Sequence, residues 1–452
     1  MYDYVVMNGE VVTSSWRGKA NLAIKEGRIA AITSCLSIPE AASYFDADGK
    51  LVIPALVDTH VHLRDPGYTL KEDFYTGTCA AAAGGYGTVV AQPNTSPPAV
   101  DEAGIKNLQE LGQKRCVVDF GVSAQVTPQN INILAELKEA GAIILDIAAC
   151  DVPSEWLIKD AVQYLQIFTD AARLGLPVAV YATDAGIVAA RTESLQKIGR
   201  KDPLAWVEAR PPLAESAEVA RVSQIARETK VRLLFRQVSS IAALDVLKAN
   251  KSIKTTADIK IEVNPHHLFL TTDDIVRLGP IAKMAPPLRE PDVVEHFWKE
   301  LGGIIDMIGG DHAPHTWDEK TAGNEDIWKG ASGVPTLETA LPLMLDAARQ
   351  GRIKLEQVVS IMSEEPARWL NIYPRKGTIA VGSDADLAVI DAGSSWEVRG
   401  KDLFTKAKWT PFEGLKLQGR VEKTMVRGKW VYDSGKITVK PGYGRSVAVI
   451  MT

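Results

Sequence analysis

What most limits the fold of this chain is a repeated pair of segments: a short, almost wholly apolar run, then a stretch long enough for a helix. Eight such runs can be drawn, LVIPALVDTHVHL, YGTVVAQPN, VVDFGVSAQ, AIILDIA, PVAVYAT, VRLLFRQVS, IKIEVNP and IDMIGGD. EDFYTGTCAAAAGG and ESAEVARVSQIARETK are the clearest helices between them. Strands apolar on both faces and separated by helices belong to a parallel sheet covered on both sides. Eight of them predict an α/β fold closed into a (β/α)8 barrel. The two ends read differently. YDYVVMNGEVV and ANLAIKEGRIAAI at one end, and DADLAVIDAG, VEKTMVRGKWVYDSGK and SVAVI at the other, alternate and are joined by turn residues. That is antiparallel β, and both ends are expected to pair into one small β-sandwich domain. The expected division is residues 1–53 and 373–452 for the β-domain and 54–372 for the barrel.

Composition excludes several classes. A hydrophobic fraction of 46% with 24% charged residues is that of a soluble globular protein. The net charge of −5, with signs mixed throughout, offers no basic face for nucleic acid. No apolar run approaches the roughly 20 residues of a membrane span, and the opening MYDYVVMNGEVV reads as a strand, not a signal peptide. Cys35, Cys79, Cys116 and Cys150 are scattered without a C-x-x-C spacing, which argues against a disulfide framework or a thiolate zinc site. The expectation is a cytoplasmic enzyme.

Reactive residues of such barrels sit where each strand ends. That criterion selects His60, His62, Asn94, Asp146, Tyr181, Gln237, His266, His267 and Asp311. In D-T-H-V-H, His60 and His62 are two residues apart on a strand and point to one face. Two convergent imidazoles suit a zinc-like ion; an isolated H-x-H is more often structural, and the strand-end position is what favours the metal. Asp311, in I-G-G-D-H-A-P-H-T, can coordinate an ion or move a proton. Of seven histidines only His296 lies outside these clusters and His312 and His315, which follow Asp311. The G-G-Y-G at 84–87 reads as a helix end and turn, not a phosphate loop.

D-T-H-V-H-L-R-D-P-G, A-Q-P-N-T-S-P-P, N-P-H-H-L-F-L-T, G-D-H-A-P-H-T-W-D-E-K, G-V-P-T-L-E-T-A-L-P-L-M-L and the late R-K-G-T-I-A-V-G-S-D-A-D-L-A-V-I-D together resemble the cyclic-amidase branch of the amidohydrolase superfamily, which holds dihydroorotases, allantoinases and hydantoinases. The resemblance implies two metals. One is held by the H-x-H pair and the eighth-strand aspartate, and a carboxylated lysine on strand 4 bridges to a second held by histidines on strands 5 and 6. This chain departs from that pattern in three places: Asp146 stands where the lysine would fall, and Tyr181 and Gln237 where the histidines would fall. All three departures touch the second ion.

The resulting expectation is a metal-dependent hydrolase of a cyclic amide or ureide, dihydroorotase-like, with one Zn²⁺ per chain; Mn²⁺ or another divalent ion is the alternative. His60, His62, Asp146 and Asp311 are the expected ligands, and Asp311 the catalytic base and acid. Arg64, Asn94 and His315 resemble the residues that hold a substrate carboxylate in dihydroorotases. Ala285 and the stretch W-V-E-A-R-P-P-L-A-E-S look more like allantoinase or hydantoinase. The expected partners are a small, acidic ring substrate and further copies of the chain in a dimer or tetramer, with no nucleic acid or membrane. The alternatives are a non-catalytic amidohydrolase-like scaffold subunit, an allantoinase- or hydantoinase-type substrate, and a single-metal lyase.

Overall fold

The computed structural model describes residues 1–253 and 257–450. Five strands precede the barrel: β1 (Tyr2–Val12), β2 (Arg17–Lys25), β3 (Arg28–Thr33), β4 (Ala41–Asp46) and β5 (Leu51–Pro54). The barrel strands are β6 (Leu56–Val61), β7 (Tyr86–Ala91), β8 (Asp119–Gln125), β9 (Ala142–Ala148), β10 (Val178–Tyr181), β11 (Arg232–Phe235), β12 (Asp258–Val263) and β13 (Met307–Ile308). They pair in sequence order, in parallel, as the alternation of apolar runs and helices predicts. The ring is completed where Val61 bridges His312 in parallel and the His62 amide donates to the His312 carbonyl at 2.8 Å.

Local chemistry sets the helix ends. Asp73 caps the helix Phe74–Ala83 by accepting from the Thr76 amide at 2.8 Å. Pro212 opens the long helix Pro212–Thr229, in the first turn, where a missing N–H costs nothing. Val57, Val90, Ile144, Ala179, Leu234 and Met307 of the barrel strands form one cluster with Trp369 and Ile372. Arg232, at the start of β11, donates to the Trp369 carbonyl at 3.1 Å. Apolar packing therefore closes the N-terminal end of the barrel and leaves the C-terminal end for polar groups.

β14 (Leu387–Glu397), β15 (Lys416–Val426), β16 (Lys429–Asp433) and β17 (Lys436–Ile437) follow the barrel. They join the first five strands in a nine-stranded mixed sheet whose two halves meet where β14 pairs with β5. β4 and β5 share one edge of β1, so the sheet forks there around Val6, Val11, Leu22, Val52, Leu387 and Met425. The first apolar run, read as one strand, is two. Leu51–Pro54 belongs to the terminal sheet and Leu56–Val61 to the barrel, with Ala55 between them donating to the Asp386 carbonyl. Among the described residues no helix is long and apolar enough to cross a membrane.

Candidate metal centre

His60 and His62 lie at the end of β6 and just beyond it, and Asp311 follows β13 after two glycines. Those glycines let the chain pass close to two buried acids. A Cβ on Gly309 would stand 2.2 Å from the Glu262 carboxyl carbon, and one on Gly310 2.2 Å from Asp58 Oδ2. Asp311 itself adopts φ +42°, a left-handed conformation that costs a non-glycine residue on the order of 1 kcal/mol and aims its carboxylate inward. The Asp311 Oδ1 atom is 3.1 Å from His62 Nε2 and 3.3 Å from His60 Nε2.

The other nitrogen of each ring is anchored. His60 Nδ1 lies 3.0 Å from Glu262 Oε1, and His62 Nδ1 lies 2.7 Å from Asn94 Oδ1. With those protons on Nδ1, both Nε2 lone pairs face Asp311. This is the arrangement by which second partners orient histidine ligands. Asp58 fixes the backbone beneath them, its Oδ1 accepting from the amides of His60 and Gly310 at 2.9 and 3.0 Å. Burial lowers the His62 pKa to about 4, which keeps the ring neutral as a ligand must be. For His60, burial also opposes protonation, but the Asp311 and Glu262 carboxylates outweigh it and the pKa rises. Burial pushes Asp58 up to about 7. Two imidazole nitrogens and a carboxylate oxygen facing one point fit a divalent ion of the zinc type. Glu262→Ala is expected to weaken metal binding about 10–100-fold, measured by competition with a chromophoric chelator; unchanged affinity would remove Glu262 from this role.

Asp146 is not a member of this close group. Its Oδ2 is taken by the Arg236 guanidinium, which also donates to Gln92 Oε1 and, at 2.9 Å, to the Thr59 carbonyl. Tyr181 donates its hydroxyl to Asp151 Oδ2 at 3.0 Å, and Asp151 is paired with Arg210. Gln237 Nε2 donates to the Ala285 carbonyl at 2.8 Å. These side chains, with the three of the metal group, line one cavity of about 250 Å³ at the C-terminal mouth of the barrel.

Arg64 and His315 line the same cavity. Neither acid near Arg64 in the sequence pairs with it. Asp65 pairs with Arg115 at 2.6 Å, and Glu72 accepts from Thr405 Oγ1 at 2.6 Å and lies 3.3 Å from His312 Nε2. Arg64 donates through Nε to the Pro314 carbonyl at 3.3 Å. Burial, then the Arg64 and Lys71 charges, lower the His315 pKa to about 3, so its ring is neutral. Its Nε2–H donates to the Ser332 carbonyl at 3.0 Å. Arg64 Nη2 lies 3.3 Å from the same nitrogen, and Glu319 Oε2 3.3 Å from Nδ1. Asn94 lines the same cavity with its Oδ1 committed to His62, so its amide nitrogen is the group it has to offer.

His312 and His267 have other partners. His312 accepts from the Thr336 amide at 3.1 Å, and His267 Nε2 meets the Pro286 carbonyl at 3.1 Å. His266 is fully buried with both ring nitrogens unpartnered. Sequence reasoning missed Asp58, Glu262 and Arg236. A signal was available in LVDTHV, IKIEVNP and LLFRQV: a charge inside a strand covered on both faces must meet a partner. A second acidic group, Asp119, Asp384 and Asp386, is close enough to suggest an ion, but Lys376 Nζ already stands 2.7, 3.2 and 2.6 Å from the three.

The structure thus combines a (β/α)8 barrel, an H-x-H pair facing an aspartate beyond the eighth strand, and a terminal β-domain. Residues 51–431 match the model of the amidohydrolase family, and the chain belongs to that family, in its cyclic-amidase branch. It is 33% identical to an L-hydantoinase of Paenarthrobacter aurescens over 99% of this chain and 98% of that one. It is 35% identical to a dihydroorotase of Methanosarcina mazei, over 98% and 97%. An allantoinase of Solibacter usitatus is 34% identical, over 98% and 96%. The solved structure of L-hydantoinase (dihydropyrimidinase) from Arthrobacter aurescens superposes with a TM-score of 0.95, at 32% identity and 99% coverage of both chains.

Proposed function

We propose that the protein hydrolyses the ring amide of a small acidic cyclic amide or ureide, of the dihydroorotate kind, with one zinc ion per chain held by His60, His62 and Asp311. Relatives named hydantoinase, dihydroorotase and allantoinase support a cyclic amide hydrolase. The observation that carries the acidic substrate is Arg64, a buried guanidinium on the cavity wall whose contacts are Pro314 and His315 and which has no carboxylate partner among the described residues. A substrate carboxylate would supply that partner through charge-assisted hydrogen bonds. His315 and the Asn94 amide group flank it. The complete set of His60, His62 and Asp311 favours this reading over a non-catalytic subunit.

Zinc held by His60, His62 and Asp311 would supply Lewis-acid polarisation of the ring carbonyl and lower the pKa of a water to about 7. Asp311 then takes the proton of the attacking water as oxygen bonds to the carbonyl carbon. It returns that proton to the ring nitrogen as the C–N bond breaks, giving a ring-opened acid. Glu262 and Asn94 keep the two imidazoles in register during both transfers. The same reading takes the protein as a cytoplasmic homo-oligomer, a dimer or tetramer, by analogy.

The test is a panel of dihydroorotate, allantoin, hydantoin and dihydrouracil with zinc- or manganese-loaded protein. Dihydroorotate is expected to give the highest kcat/KM, and hydrolysis of none of the four contradicts the proposal. Arg64→Met is expected to raise KM for the acidic ring about 10–100-fold, as loss of hydrogen bonds to a charged group implies, with little change for a neutral ring. An equal loss on both would remove the carboxylate contact.

A further inference from the structure

Arg236 has no part in the steps above, yet it is among the most enclosed cations of the barrel, 3% exposed. It rises from the end of β11 and ties three other strands together. Its guanidinium meets Asp146 at the end of β9, Gln92 beyond β7 and the Thr59 carbonyl of β6. Nε is buried without a partner. Three partners therefore fix a permanent positive charge in the lining of the cavity that His60, His62 and Asp311 share.

Charge balance gives this position a meaning. Three carboxylates, Asp146, Glu262 and Asp311, gather around the floor, and Arg236 is the permanent cation in contact with one of them. One divalent ion at His60, His62 and Asp311 makes the set neutral. A second would leave two positive charges in excess in a buried site, which is strongly unfavourable. Asp146, the carboxylate a second ion would need, is also committed to Arg236.

We infer that Arg236, paired with Asp146, is the built-in second cation of the barrel mouth, a positioning residue that limits the centre to one exchangeable divalent ion. The inference rests on His60, His62 and Asp311 forming a metal site. Its test counts ions rather than turnover. Protein stripped with chelator is titrated with Mn²⁺ alone, bound metal is measured by equilibrium dialysis, and electron paramagnetic resonance reports whether bound ions are coupled in pairs. The wild type is expected to bind one Mn²⁺ per chain with an uncoupled spectrum, even in large excess of the ion. Arg236→Met frees Asp146 and is expected to take up a second Mn²⁺, which the added Asp146→Asn change abolishes; Arg236→Lys, which keeps the charge, stays at one. A wild type that binds two ions overturns the inference, as does an Arg236→Met protein that folds and remains at one. Should Arg236→Met fail to fold, the wild-type and Arg236→Lys counts still decide, since a second equivalent in either overturns it. A wild type that binds no ion instead removes the metal site itself.

Discussion

Asp311→Asn is expected to lower kcat for ring opening by at least about 10³-fold while leaving the chain folded. Two losses combine. The amide cannot accept and return a proton, a function worth about 10²–10⁴-fold, and a neutral oxygen binds a divalent ion less well than a carboxylate. The native carboxylate is well placed for both tasks. Burial would raise its pKa, but the His60 and His62 rings beside Oδ1 outweigh burial and hold it ionised far below the ordinary carboxylate range. The variant keeps its backbone because asparagine, like aspartate, tolerates the left-handed φ of +42° found there. Circular dichroism and thermal unfolding confirm the fold, and steady-state kinetics on the best ring of the panel gives the loss. A decrease of less than tenfold in folded protein would mean that another group moves the proton.

Lys376→Met is expected to cost about 3–5 kcal/mol of stability, the usual consequence of removing one partner from a buried ionic cluster. Lys376 is 1% exposed and lies among Asp119 of β8 and Asp384 and Asp386, which precede β14. The cluster thus joins the barrel to the terminal sheet. Arg427 also pairs with Asp119, and its amide donates to Asp386 Oδ1 at 2.7 Å. Arg375 donates to Asp384 at 3.2 Å. Methionine fills similar space but leaves buried carboxylates short of a cation. Urea unfolding compares the two proteins; a change below about 1 kcal/mol would show that Arg427 and Arg375 suffice.

Much of this was legible in the sequence because the barrel imposes one strong pattern. Each strand is buried on both faces, so each reads as an apolar run, and all eight were found where expected. Strand ends then gave His60, His62 and Asp311. What escaped notice depends on contacts between residues far apart in the chain. That Asp146 answers to Arg236, 90 residues later, is a matter of barrel closure that no local spacing reveals. The split of the first run at Ala55 is equally hidden, since a strand that changes sheets keeps its apolar character throughout. Backbone conformation is another unread layer. Arg64, Asp151, Gln237 and Asp311 all line the cavity and all take positive φ, from +42° to +59°, which the tolerance of aspartate for such angles does not by itself announce. Such conformations collect at functional sites because surrounding structure holds them there.

The central claim, that His60, His62 and Asp311 grip one divalent ion, is tested most directly by elemental analysis of the wild type beside His60→Ala. The account predicts close to one zinc per chain in the wild type after exhaustive dialysis and almost none in the variant. Metal-free wild type after growth in zinc, or equal zinc in both proteins, would contradict it.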